Sequence, residues 1–205
     1  AYMLAVLDDD TLKHPALECV ITTDEEIGLL GAKALDTSVL KGTHMINMDS
    51  EEEGYLWISC AGGLSGTSRI PVEYQEMEGV VTEVLIDGLN GGHSGAEIDK
   101  NRANANKLLG LFLYELGQKI GYSIKDLSGG TKDNAITRSC KAAIVTDAED
   151  VEEVKAVAEK LQAELRAEYA GSDEGITISV TPGKEETVEA LSLVSKEKVV
   201  FYLVH

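Results

Sequence analysis

Ile176-Thr177-Ile178-Ser179-Val180-Thr181 decides how the second half of this chain folds. Apolar and polar side chains alternate strictly, the period of a half-exposed strand. Before it, Val151, Val154, Ala158, Leu161 and Leu165 keep a three/four spacing that marks one face of a helix, and Gly171 stops that helix. Thr146-Asp147-Ala148-Glu149 reads as a capping box that starts it. Further back, Ser139 to Val145 and Tyr122 to Leu127 read as strands around a Gly129-Gly130 turn. Asn101 to Gln118 reads as a helix with Leu108, Leu109, Phe112 and Leu116 on one side, and Val80 to Asp87 as a strand. The order is βαββαβ, the ferredoxin-like arrangement.

The first part reads differently. Residues 1–10 look like a helix end. Leu17-Glu18-Cys19-Val20-Ile21-Thr22 and Met45-Ile46-Asn47-Met48 are short β-rich runs, and Ile27 to Leu40 between them is helical in pattern. Strand, helix, strand makes a βαβ unit with parallel strands. Gly62, Gly63, Gly66 and Pro71 make residues 63–79 a linker or crossing point. The expected class is α/β, with a βαβ piece over residues 1–62, a ferredoxin-like domain over 63–185, and the start of a further segment over 186–205. Both ends look cut. Ala1 opens mid-helix, and Val199-Val200-Phe201-Tyr202-Leu203-Val204 reads as an apolar strand without a terminating turn; a native terminus is usually polar and frayed.

Composition excludes several classes. The 205 residues carry 36 acids against 18 bases, a net charge of −18, which repels nucleic acid and anionic membrane surfaces. No apolar stretch approaches the roughly 20 residues of a membrane span, and no signal peptide is evident. Cys19, Cys60 and Cys140 are scattered, without a CxxC pair, so neither a thiolate metal site nor a disulfide framework is supported and a reducing, cytoplasmic setting is expected.

Chemistry is expected where parallel strands end, because ligands bind beyond their carboxyl ends. The first β run delivers Asp24, Glu25 and Glu26; the second delivers Asp49, then Ser50, Glu51, Glu52 and Glu53. Converging carboxylates repel, and a divalent cation removes that penalty. One glutamate of an adjacent pair can ligate while its neighbour accepts a proton. The competing reading is that Glu25 and Glu26 are simply favourable charges at a helix start. His93 sits in the glycine-rich loop Asn90-Gly91-Gly92-His93-Ser94-Gly95, where glycines allow a close backbone approach to a ligand. Asn134, in Lys132-Asp133-Asn134-Ala135-Ile136-Thr137-Arg138, offers an amide to a substrate carboxylate, as does Arg138 its guanidinium; an Asx turn at a strand start is the structural alternative for Asn134.

Thr23-Asp24-Glu25-Glu26-Ile27-Gly28, Asn47-Met48-Asp49-Ser50-Glu51, Gly88-Leu89-Asn90-Gly91-Gly92-His93-Ser94-Gly95 and Asp133-Asn134-Ala135-Ile136 follow one another in a fixed order. In these four motifs the chain resembles the di-zinc exopeptidase family that includes carnosinases and aminoacylases, and within it the bacterial Xaa-His dipeptidase (peptidase D) branch. The resemblance implies a catalytic α/β domain interrupted by an α/β lid domain. It implies Glu25 as general base, Glu26 and Asp49 as ligands of different zinc ions, and His93 and Asn134 as lid residues that contact substrate. It also implies two zinc ions, with cobalt or manganese as alternatives, a small peptide substrate hydrolysed by activated water, and a homodimer. An upstream histidine ligand, a bridging aspartate and a downstream histidine ligand of that family have no counterpart here, so this chain by itself is expected to be inactive. A non-catalytic binding or dimerisation module, and another member such as an aminoacylase or carboxypeptidase, remain as alternatives.

Overall fold

The computed structural model describes residues 1–49, 53–60 and 62–205; Ser50, Glu51, Glu52 and Ala61, the first three of which fall in the expected acidic run, lie outside the described residues. The chain divides into two compact units, Ala1–Gly63 and Leu64–His205.

In Ala1–Gly63 the helices are α1 (Tyr2–Asp8) and α2 (Leu30–Ala34), with a 3-10 turn at Thr37–Val39. Neither expected strand forms: residues 17–22 and 45–48 have no ladder partner among the described residues. The helix expected from Ile27 to Leu40 is confined to Leu30–Ala34 and the 3-10 turn. The reason is burial. No described residue of this unit is buried, and Ile21, Met45 and Ile46 are 69%, 91% and 86% exposed. Parallel strands need both faces covered, and a short β pair without such cover is marginal. Local hydrogen bonds shape this unit instead. The Glu18 carboxylate accepts from the main-chain N–H groups of Lys41 (2.8 Å) and Gly42 (2.5 Å).

Leu64–His205 contains the core. Its elements in order are β1 (Tyr74–Asp87), the two-residue β2 (Gly92–His93), α3 (Ala105–Gly117), β3 (Ser123–Gly129), the two-residue β4 (Ala135–Ile136), β5 (Cys140–Thr146), α4 (Val151–Glu168), β6 (Thr177–Leu191) and α5 (Leu193–Val204). The main sheet runs β3-β5-β1-β6 and every neighbouring pair is antiparallel. With α3 and α4 as the two crossovers, this is the ferredoxin-like topology. Val84, Ile86, Ile124, Ile144 and Ile178 of the sheet meet Leu109, Phe112 and Leu116 of α3 and Val154, Leu161 and Leu165 of α4 in one continuous core.

Four local expectations are corrected. Residues 74–79, read as linker, belong to β1, because their main chain pairs with residues 186–191 of β6 although most of their side chains are exposed. Helix α3 starts at Ala105 rather than Asn101. Asn101 has φ +50°, and Asn104 caps the helix by accepting from the Asn106 N–H (3.0 Å). The capping box at Thr146 does not form: Thr146 closes β5 opposite Val80, and its buried hydroxyl has no hydrogen-bond partner among the described residues. Finally, residues 199–204 are helical. The Ser192 hydroxyl caps α5 by accepting from the Ser195 N–H (3.3 Å), and helical spacing buries Val200 while Leu203 packs on the core.

Helix α5 lies against α3, and the two come close at Gly110, where a Cβ would stand 2.7 Å from the Cβ of Leu203. Gly110→Val is therefore expected to destabilise by about 1–3 kcal/mol through overpacking. A urea titration checks this, and an unchanged midpoint would contradict the α3–α5 packing.

Candidate functional site

The loop between β1 and α3 carries His93. Strand β2 pairs with β4 so that His93 lies opposite Ala135, and the Ser94 N–H donates to the Asn134 carbonyl at 3.0 Å. Two motifs about forty residues apart in sequence are thereby brought side by side. The His93 Nδ1 accepts from the N–H groups of Gly95 (3.0 Å) and Ala96 (3.1 Å). Two donors aimed at Nδ1 leave it without a proton, so the ring proton sits on Nε2. His93 is exposed, and Nε2 has no hydrogen-bond partner among the described residues.

The glycines before His93 are required by what surrounds them. Gly91 has φ +63° and Gly92 φ +145°, which only glycine adopts without strain. A Cβ on Gly91 would collide with the Arg138 side chain, and one on Gly92 with the Arg102 guanidinium and the Glu97 carboxylate. Arg102 donates to the Gly91 carbonyl and pairs with Glu97 at 3.0 Å. Glu97 also accepts from the His93 N–H (2.9 Å) and from Lys100 (2.7 Å). The Lys100 hydrogen bond first, then the His93 N–H and the two cations, pull the Glu97 carboxyl down to about 2. Arg138 donates from Nε to the Leu89 carbonyl at 3.2 Å.

Asp173 carries no functional mark in the sequence. It is fully buried at the turn between α4 and β6, and its carboxylate accepts from the Asn90 N–H (2.7 Å) and the Ala103 N–H (2.8 Å). Hydrogen bonds to a charged acceptor contribute about 1.5–3 kcal/mol each. Ser172-Asp173-Glu174-Gly175 reads as an ordinary surface turn, so only the long-range pairing reveals Asp173. Glu97 and Arg102 were missed as well: their contacts are local, but no pattern in the sequence shows that the loop folds back on itself.

Asp24, Glu25 and Glu26 lie in the other unit, in an exposed chain reversal. The Glu25 carbonyl accepts from the N–H groups of Gly28 and Leu29, both at 3.0 Å, and Asp24 adopts φ +58°. Asp49 is exposed. Among the described residues no three His, Cys, Asp or Glu side chains are grouped so as to hold a metal ion. The described residues therefore do not fit a complete metal centre.

A sheet of this topology, with a histidine loop set beside an asparagine turn in a separate two-stranded sheet, defines an α/β ferredoxin-like domain. Residues 86–173 match the peptidase dimerisation domain of the M20 peptidases. The cytosol non-specific dipeptidase of Escherichia coli is 37% identical over 180 residues, which cover 87% of this chain and 37% of that protein. The crystal structure of aminoacylhistidine dipeptidase from Vibrio alginolyticus matches with a TM-score of 0.74 at 26% identity, over 98% of this chain and 41% of that one. By these matches the chain is similar to the M20 peptidases, and within them to peptidase-D-like dipeptidases. It spans 37% of the length of its dipeptidase relative.

The lowered Glu97 carboxyl fixes the pH behaviour of the loop. A carboxyl whose value falls on folding contributes stability above its ordinary value near 4.5, and loses it as pH falls toward about 2. The His93 amide is expected to stay protected from hydrogen exchange above about pH 4.5 and to lose protection between there and about pH 2. Amide exchange followed by NMR across that range checks this; protection unchanged in Glu97→Gln would refute it.

Proposed function

We propose that this chain is part of a metal-dependent dipeptidase that acts on Xaa-His and related dipeptides. The observation that carries the reading is the 37% identity to a cytosol non-specific dipeptidase over 87% of the chain. The pairing of β2 with β4 adds to it, since it sets His93 beside Asn134. Residues 1–62 are then a piece of the catalytic domain, residues 63–185 the lid, and residues 186–205 the start of the next lid segment. Glu25 carries the proton. Glu26 and Asp49 offer carboxylate oxygens to two different metal ions, zinc in the first place, with cobalt or manganese chemically acceptable to the same ligands. His93 presents its Nε2–H to the substrate, and Asn134, with Arg138 nearby, faces the substrate carboxylate. A cytosolic setting fits the relative's name, and among the described residues no helix is long and apolar enough to cross a membrane.

A second reading is favoured by one observation, the match of residues 86–173 to a dimerisation domain. The lid half then brings two copies together. Sedimentation of the chain at micromolar concentration is expected to show a dimer; a monomer throughout would remove this role.

Two measurements test the main reading. In the intact protein, Glu25→Gln should lower dipeptide hydrolysis by about 10²–10⁴-fold, the usual contribution of a general acid–base group; an unchanged rate would sink the assignment. Zinc titrated into the 205-residue chain alone should give no tight stoichiometric binding, because a zinc site normally takes four ligands. Two submicromolar sites would overturn that.

A further inference from the structure

Asp173 makes no hydrogen bond to His93 itself among the described residues, yet both arms of the His93 loop are tied to it. One oxygen holds the Asn90 N–H at 2.7 Å and the other holds the Ala103 N–H at 2.8 Å. Asn90 leads through Gly91 and Gly92 to His93, while Ala103 follows Arg102 directly. Arg102 reaches back to the Gly91 carbonyl and to Glu97, and Glu97 holds the His93 N–H at 2.9 Å. The circuit thus starts at Asp173, leaves along both arms of the loop, and closes on the main chain of His93. The turn that carries Asp173 is itself fixed: its N–H donates to the Tyr169 carbonyl at 2.9 Å, and its carbonyl accepts from the Ile176 N–H at 3.3 Å.

We infer that Asp173, acting through Arg102 and Glu97, is a positioning residue for the His93 imidazole. The main-chain path it imposes places the Gly95 and Ala96 N–H groups on Nδ1. With Nδ1 occupied, Nε2 carries the proton and remains the nitrogen available to a ligand. Burial makes the clamp strong, because a fully desolvated carboxylate without its two donors is costly, so the loop cannot drift from it without penalty. The catalytic consequence rests on the reading of His93 as a substrate-contacting residue; the effect on the imidazole does not.

The test uses Asp173→Asn, in which one oxygen is replaced by an NH₂ group that cannot accept an N–H. The ¹⁵N signals of His93 in the intact protein are expected to show bare Nδ1 and protonated Nε2. In Asp173→Asn they should move toward a mixture of the two tautomers. Kinetically, Asp173→Asn should lower kcat/KM for a dipeptide by about 10-fold or more. The double variant with His93→Ala should be no slower than His93→Ala alone, since residues acting through one group are non-additive. Unchanged nitrogen signals, or losses that add independently, would overturn the inference. Should Asp173→Asn fail to fold, Arg102→Gln cuts the same circuit at a partly buried position, and unchanged His93 signals in that variant would be equally decisive. If the unaltered protein cleaves no dipeptide, the proposed function falls while the nitrogen signals still decide the positioning.

Discussion

The unit that contains the core is organised around strand β1, which is hydrogen-bonded along both edges. Val80 to Ile86 pair with β5, and Tyr74 to Asp87 pair with β6. Because β5 lies between β1 and β3, and β1 between β5 and β6, the pairs β1 with β3 and β5 with β6 each run parallel, so α3 and α4 act as crossovers, and they meet the face on which Val84 and Ile86 are completely buried. The β1–β6 pair tolerates an irregularity, a register shift between Val80 and Thr82. Pro182 lies opposite Thr82 there, on the edge strand where a missing N–H costs least. The His93 loop leaves from the end of β1 and returns at α3, so its two feet stand on the sheet and helix layer that form the core. Its position is inherited from the core and then refined by polar contacts.

Much of that core was legible from sequence. Strict alternation at Ile176 to Thr181 and the three/four spacing of Val154, Ala158, Leu161 and Leu165 correctly gave a strand and a helix, because both patterns report burial on one face. What was not legible depended on partners distant in sequence. Tyr74 to Glu78 are held by main-chain ladder bonds that ignore side-chain polarity. Asn101 to Asn104 have helical neighbours but are drawn out of the helix, with the Ala103 N–H taken by Asp173 and the Ala105 N–H by the Thr137 carbonyl. The run of apolar residues at 199–204 fits strand and helix equally by composition, and Ser192 and the α3 surface decide for the helix. For the site, glycines and a histidine in one loop were enough to single out His93, whereas Asp173 is recognisable only through bonds spanning 83 and 70 residues. The acids of the first unit were legible as a motif, but their grouping is not a local property of the chain.

The bonds that Asp173 accepts come from main-chain N–H groups, not from side chains. Such an attachment does not read the identity of the residues it grips; it excludes only proline at positions 90 and 103, which has no N–H to offer. The loop between them is thus mounted like an exchangeable cassette. With Gly91, Gly92, Glu97 and Arg102 kept, the side chain at position 93 could be exchanged while the frame that carries it stays the same.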